Sequence, residues 1–328
     1  MAIRVDEIIT DPYILREGHV FREGFVFTEG QSCPVVYNRL LIRVPEFAQN
    51  DMKKTGYSTR TLEEHVELVN KYQIEKVMII CDDLNFILNC PSIKDIVVYP
   101  SYGAAPSFDY SPLYKLPNLK CVDCKTIYGP CEQYKTTVDY TRIKKLEDIT
   151  MVGEGHIKFE TVSTLKEIWL SGNKKIRSFS DVSCSPELQK VTLYQCGIQS
   201  LKGIERHERL ETLILYGNRT LTDISELENV AETLKTLVIE NCSKITDFTV
   251  LHTLRNLEHL QLYGNNVLPD LKFLSEMKKL KTFTFTMNIE NGELSNCLKV
   301  PYVSCKNRKH YNLKDIDLPK GRVQRKIQ

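Results

Sequence analysis

The sequence has no long apolar run, only one tryptophan and almost no excess of charge of either sign. Nowhere do about 18 apolar residues follow one another, so we expect no membrane-spanning helix. The net charge is +2, which predicts no general attraction to nucleic acid or to an anionic membrane. Residues 1–10 include Arg4, Asp6 and Glu7 and lack the apolar core of a secretory signal, so we expect a cytoplasmic protein, or a secreted one if a signal peptide has been removed.

Common catalytic motifs are also missing. The sequence has no nucleophile elbow, no phosphate-binding glycine loop and no HExxH helix, so it predicts no catalytic residue, no cofactor and no enzyme activity. Cys121 and Cys124, followed by Cys131, have a spacing that could hold zinc. In the strand predicted here Cys121 would point outward and Cys124 inward, so we expect no metal site. The eleven cysteines are an odd number, which favours reduced thiols over a disulfide framework.

A repeat fills the region from Leu165 to Asn288. Six leucine anchors are spaced 22 to 24 residues apart, at Leu165, Leu188, Leu210, Leu234, Leu257 and Leu280. Apolar residues follow each anchor three and five positions later: Ile168 and Leu170, Val191 and Leu193, Leu213 and Leu215, Leu237 and Ile239, Leu260 and Leu262, Phe283 and Phe285. Because side chains alternate along a strand, these two positions share one buried face and the residues between them face out.

The eighth position after each anchor is always asparagine or cysteine: Asn173, Cys196, Asn218, Cys242, Asn265 and Asn288. Small polar side chains suit a sharp corner, where they bond backbone groups left unpaired inside the protein. Beyond the corner the apolar spacing becomes three, as in Leu221, Ile224 and Leu227, which predicts a return path of 3₁₀ turns.

The pattern LxxLxLxx(N/C) resembles that of leucine-rich repeat proteins, with repeats of internalin-like length. The resemblance implies an α/β leucine-rich repeat solenoid, curved, with a parallel β-sheet on its concave face and 3₁₀ or short helical turns on its convex face. No single repeat covers its own apolar face, so neighbouring coils must bury one another.

Weaker matches extend the pattern towards both ends. Residues 1–57 lack the repeat, and their regularly spaced glycines predict a β-hairpin-like cap, with a further strand candidate at 35–44. Residues 58–164 read as a helix with a capping box at Thr61 and Glu64, followed by irregular coils anchored at Ile74, Ile93, Leu119 and Leu146. Residues 100–117 are predicted to form a loop that leaves the solenoid. Residues 165–305 are the regular solenoid with a closing strand near Val303, and residues 306–328 are predicted to be a basic C-terminal tail.

Two outward rows carry the candidate binding site. Four and six positions after the anchors, aromatic and β-branched residues recur beside polar ones, although strands favour such residues in any case. Tyrosine and tryptophan dominate the energy of protein interfaces. The predicted partner-binding residues are Trp169, Tyr194, Ile214, Tyr216, Val238, Glu240, His259, Gln261 and Tyr263. Charges of both signs alternate in the adjacent rows, which disfavours nucleic acid and predicts a polar rim.

The sequence therefore predicts a non-enzymatic, monomeric protein-interaction module that binds another protein through its concave sheet. Two narrower alternatives stay open: a cytosolic immunity protein that neutralises a toxin, and a secreted internalin-like protein for adhesion or virulence. The sequence lacks the signal and cell-wall anchor expected of the second alternative.

Overall fold

The computed structural model describes residues 39–43, 61–100, 108–124, 138–153 and 158–321. The chain divides into two compact units, Met1–Phe159 and Glu160–Gln328. Most of the predicted N-terminal cap and Cys131 lie outside the described residues. In the part of the chain that is described, no helix is long and apolar enough to cross a membrane.

The first unit contains one α-helix, α1 (Leu62–Tyr72), which begins at the predicted capping box. The backbone N–H of Glu64 donates to the Thr61 hydroxyl at 3.2 Å, and the backbone N–H of Thr61 donates to the Glu64 carboxylate at 2.7 Å. Both groups would otherwise be orphan donors at the helix start. The fully buried face consists of His65, Leu68 and Val69, whereas Leu62 is only partly covered.

Five parallel strands in chain order form the sheet of the first unit. They are β1 (Leu40–Arg43), β2 (Lys76–Cys81), β3 (Asp95–Pro100), β4 (Cys121–Cys124) and β5 (Asp148–Val152). Strand β1 lies inside the segment predicted to be a hairpin cap, yet it pairs parallel with β2, with Leu40 opposite Val77. The irregular anchors Ile74, Ile93, Leu119 and Leu146 are buried, as predicted.

The described part of the loop at 100–117 does not leave the protein, contrary to the prediction. Phe108, Tyr110 and Leu113 are buried, and a 3₁₀ helix spans Ser111–Lys115. Its apolar residues were overlooked because the surrounding serine, glycine and proline residues are typical of exposed loops. This segment is therefore a return path like those of the regular coils.

Seven parallel strands form the sheet of the second unit, again in chain order. They are β6 (Glu167–Ser171), β7 (Lys190–Tyr194), β8 (Thr212–Tyr216), β9 (Thr236–Glu240), β10 (His259–Tyr263), β12 (Thr282–Phe285) and β14 (Tyr302–Cys305). Equivalent repeat positions pair directly, as Leu213 does with Leu237 and Leu237 with Leu260. All six anchors and the twelve inward residues that follow them are buried. The core of this unit is thus the stack of predicted apolar positions.

The return paths are short 3₁₀ helices, as the three-residue spacing predicts. They include Ser225–Val230, Thr249–His252 and Lys272–Ser275. Apolar residues in and beside these helices, such as Leu227 and Ile224, are buried.

The polar residues at the corners bond backbone groups of neighbouring coils. The Asn218 side chain donates to the Leu193 carbonyl and accepts from the Cys196 N–H, both at 2.8 Å. The thiols of Cys196 and Cys242 donate to the carbonyls of Leu170 and Leu215 at 3.5 and 3.6 Å. Such bonds satisfy groups that water cannot reach.

The ladder of corner residues departs from the sequence pattern in the last two repeats. Asn265 is exposed, and the next residue, Asn266, is buried and donates to the carbonyls of Cys242 and Ile245. Asn288 is half-buried and belongs to β13 (Asn288–Ile289), which pairs with β11 (Val267–Leu268). These coils carry a second, two-stranded parallel sheet at the corner, and Asn266 takes the place of Asn265 as the buried amide.

The segment that follows β14 is folded up to Gly321, so the predicted tail begins later than residue 306. Tyr311 and Leu318 are buried. The Lys314 ammonium donates to the carbonyls of Arg308 and Tyr311 at 2.8 and 2.7 Å. Tyr311 and Leu318, the two buried residues after β14, do not recur at the repeat interval, so this cap has no periodic signal in the sequence.

Candidate functional site

The predicted site residues lie on one side of the sheet of the second unit. We call the outward positions of its strands, four and six residues after each anchor, the outward face. Eight of the nine predicted residues belong to it, and His259, two residues after its anchor, lies beside them; all nine are partly exposed. Thr192, which shares the row of Trp169 and Ile214, is buried because it lies in register between these two larger side chains.

Three aromatic rings on the outward face stack across adjacent strands. The rings of Trp169 and Tyr194 are 6.3 Å apart with an interplanar angle of 22°. Those of Tyr194 and Tyr216 are 4.4 Å apart and nearly parallel, at 7°. Parallel strands place equivalent side chains about 4.8 Å apart, which sets the spacing of Tyr194 and Tyr216. Trp169 belongs to the neighbouring row, in register with Thr192. The result is a continuous aromatic strip over β6, β7 and β8.

Two residues of β10 form hydrogen bonds to the next coil. The Tyr263 hydroxyl donates to Thr284 at 2.8 Å, and Nδ1 of His259 lies 2.8 Å from the Thr282 hydroxyl. Burial lowers the pKa of His259 below its ordinary value. Tyr263 lies one strand beyond Glu240, so the aromatic strip does not extend to it.

Burial also perturbs two ionisable groups at the carboxyl ends of the strands. It raises the pKa of Glu240. The pKa of Tyr216 is raised mainly by burial and secondly by the neighbouring charge of Glu240. Tyr216 and Glu240 are direct partners in the register of β8 and β9. The main electrostatic feature of the outward face is therefore the half-buried carboxylate of Glu240, which lies next to the stacked ring of Tyr216.

The charged rows predicted as a rim are largely paired between coils. Lys190 contacts Glu167 at 3.0 Å, Lys235 contacts Glu211 at 2.6 Å, and Lys281 contacts Glu258. The charges alternate in sign along these rows because lysines and glutamates of neighbouring coils form ion pairs. Exposed pairs of this kind contribute about 0–1 kcal/mol each.

A cavity of about 570 Å³ opens at the carboxyl ends of β9, β10, β12 and β14. Glu240 and Tyr263 line one side of it, and Cys305, Lys306 and Arg308 line the other. Sequence reasoning missed Lys306 and Arg308 because it assigned them to a tail. The closing match at Val303 could have revealed them, since it places the residues after it at the same edge of the sheet.

No metal-binding cluster of three or more histidine, cysteine or acidic residues occurs among the described residues. Cys124 is buried and Cys121 is half-buried. Burial raises the pKa of Cys121 to about 12, which keeps this thiol protonated at neutral pH.

No protein-family model matches the sequence, and no curated protein sequence matches it either. Among solved structures, an internalin (inlF) from Listeria monocytogenes is 15% identical, with a TM-score of 0.50; the match covers 94% of this chain and 99% of that one. The functional domain of InlJ from the same organism is 16% identical, with a TM-score of 0.47, and the match covers 68% of this chain and 50% of that one. The chain thus spans about half the length of the latter. At such identities the likeness concerns the fold.

The fold is a leucine-rich repeat solenoid.

This confirms the resemblance and the fold class inferred from the repeat. Within a leucine-rich repeat coil, the outward face lies opposite the 3₁₀ return segments, and neighbouring coils supply its successive rows. The leucine-rich repeat therefore explains how residues about 23 positions apart in the sequence, such as Trp169, Tyr194 and Tyr216, come into contact.

Proposed function

We propose that the protein is a non-enzymatic binding module that holds another protein against the outward face. The observation that carries this proposal is the aromatic strip of Trp169, Tyr194 and Tyr216, stacked and partly exposed. Large aromatic side chains provide much contact area and lose few rotamers on binding.

Stacking favours binding because the rings are already ordered before a partner arrives. Immobilising a flexible side chain at an interface costs about 0.5–1.5 kcal/mol. Rings that are already stacked against one another have little of this freedom left to lose. Gln261 and His259, on β10 beyond Glu240, add polar groups to the same side of the sheet.

The preference of β-strands for aromatic residues would explain one tyrosine on the outward face. It explains less well a strip in which three adjacent coils each contribute a ring to one continuous stack. The charged rows are paired internally, so the aromatic strip and the Glu240 carboxylate are the features of this surface that we propose a partner contacts.

The proposal is tested with the double variant Trp169→Ala/Tyr216→Ala in affinity capture from the native host, read by mass spectrometry. Both side chains are partly exposed, so the fold is expected to survive, which circular dichroism would check. The matched control is Leu298→Ala, which removes an exposed apolar side chain from a return segment. We expect a protein captured by the wild type and the control to be lost from the double variant. Capture that survives the double change would reject the outward face as the site.

The identity of the captured protein decides between the narrower functions. An enzyme whose activity falls on addition of this protein would favour a toxin-neutralising role. A surface protein of another cell would favour an adhesion role. We propose a monomeric protein that acts without a cofactor in either role.

A further inference from the structure

Glu240 is the carboxylate of the outward face that lacks a counter-ion. Three glutamates in the neighbouring rows, Glu167, Glu211 and Glu258, each pair with a lysine of the next coil. Glu240 is half-buried and forms no ion pair with any residue that the structure describes. Burying a carboxylate without a partner is unfavourable, as the raised pKa of Glu240 reflects.

The surroundings of Glu240 suit a cation. Tyr216 lies beside it on β8, with its ring stacked on Tyr194. A lysine or arginine side chain placed over such a ring gains a cation–π interaction in addition to the ion pair with the carboxylate. No basic residue of the described ranges takes this place.

The opposite end of the same cavity has the opposite character. Lys306 and Arg308 line it, and Lys306 is exposed. Nη2 of Arg308 donates to the Thr286 carbonyl at 3.1 Å, while its Nε is buried and finds no hydrogen-bond partner among the described residues. An unused buried donor on a guanidinium fits a carboxylate.

The two ends are separated by a fixed number of strands. Glu240 belongs to β9 and Cys305 to β14, with β10 and β12 between them. Three strand spacings of about 4.8 Å give roughly 14 Å. An extended peptide advances about 3.4 Å per residue, so it covers this distance in about four residues.

We propose that the cavity takes an extended segment of the partner protein, which lies across the strands with a basic side chain at Glu240 and an acidic side chain about four residues away at Lys306 and Arg308. This inference rests on the proposed function and names the chemistry of the partner at one end of the outward face. The aromatic strip provides contact area. The cavity selects a segment by its two charged side chains and fixes the direction in which that segment lies across the strands.

The test is selection of a displayed library of random 12-residue peptides on the purified, full-length protein. Glu240→Lys reverses one end of the cavity and Lys306→Glu the other. Because Lys306 is exposed, its substitution is not expected to disturb folding, and thermal unfolding checks both variants. Glu228→Lys is the matched control, since it makes the same charge change as Glu240→Lys on an exposed return segment.

Peptides enriched on the wild type and on the control are expected to carry a basic and an acidic residue three to five positions apart. On Glu240→Lys the enrichment of the basic residue should fall about tenfold or more, as expected for a close charge pair at an interface. On Lys306→Glu the acidic residue should be lost instead.

Two outcomes would overturn the inference. One is enrichment without a charge pattern, or with a pattern that both variants preserve. The other is no enrichment on the wild type, because an extended segment would then not bind. Neither outcome decides the proposed function. That proposal is rejected if the Trp169→Ala/Tyr216→Ala variant still captures the partner protein.

Discussion

At the residue scale, the buried amide of Asn218 connects neighbouring coils. Its side chain is fully buried and bonds both the Cys196 N–H and the Leu193 carbonyl. Replacing it with alanine leaves a buried donor and a buried acceptor without partners. Each unsatisfied group of this kind costs about 1–3 kcal/mol.

We therefore predict that Asn218→Ala lowers the free energy of unfolding by about 2–4 kcal/mol, measured by urea denaturation. Asn265→Ala is the matched control, because Asn265 has the same position in the repeat motif but is exposed. The control is expected to change stability by less than about 0.5 kcal/mol. Equal losses in both variants would show that the corner amides do not stabilise the coils through these bonds.

His207 gives the second unit a dependence on pH. Its ring is fully buried, with Nδ1 2.9 Å from the Ser185 carbonyl and the ring 5.3 Å from that of Phe179. Burial lowers its pKa below the ordinary value of 6.5, although backbone carbonyls partly oppose this shift. The unfolded chain then binds a proton more readily than the folded one.

The contribution of neutral His207 is fully present above pH 6.5 and is lost as the pH falls from there towards the lowered pKa of the folded state. Within this window stability should decrease by up to about 1.4 kcal/mol per pH unit. His207→Gln removes the titration and retains a donor for Ser185. Urea unfolding between pH 5 and pH 8 should give a flatter profile for the variant, and identical profiles would refute this role.

At the scale of elements, the cap after β14 is held to the last coil by Tyr311. Its hydroxyl donates to the Met287 carbonyl at 3.2 Å and accepts from the Ile289 N–H at 2.9 Å, and the ring is buried. Since both bonds connect to the coil that carries β13, they fix the edge of the two-stranded sheet of β11 and β13.

We predict that Tyr311→Phe lowers the thermal unfolding temperature and costs about 1–3 kcal/mol, because two buried backbone groups lose a partner. Tyr302→Phe is the matched control: Tyr302 is half-buried, and its hydroxyl makes no hydrogen bond within the described ranges. A cap that contributes nothing to stability would show no difference between the two variants in calorimetry.

The regular coils could be predicted from the sequence because each apolar position is repeated at a nearly fixed interval. Strands β6 to β10, their inward residues and the buried corner at Asn218 follow from this pattern alone. The shift from Asn265 to Asn266 could not, since two adjacent asparagines satisfy the motif equally well. Lys306 and Arg308 were missed because a cap that occurs once has no period to detect.

At the scale of the whole molecule, the described cysteines are free thiols and most of them are buried. Burial raises the pKa of Cys196 and Cys242 to about 11 and that of Cys297 to about 12. The thiolate is the reactive form, so these residues should be inert in the folded protein. Cys184 is exposed.

We predict that N-ethylmaleimide at pH 7.5 labels Cys184 rapidly and leaves Cys196, Cys242 and Cys297 unmodified until urea unfolds the protein. Peptide mass spectrometry measures each site separately. Labelling of Cys196 in the native protein at the rate of Cys184 would contradict the burial of the corner ladder. Because thiols in the core require no oxidant, the fold does not depend on disulfide formation among the described residues.

The strand order gives the outward side chains of the solenoid a regular spacing. Each coil adds one step of about 4.8 Å between side chains at equivalent positions. Duplicating or deleting a coil between Glu240 and the cap would therefore change the distance between the two charged ends of the cavity by one strand spacing. Gain or loss of a single repeat would thus change the length of the proposed peptide segment by between one and two residues, without altering any contact residue.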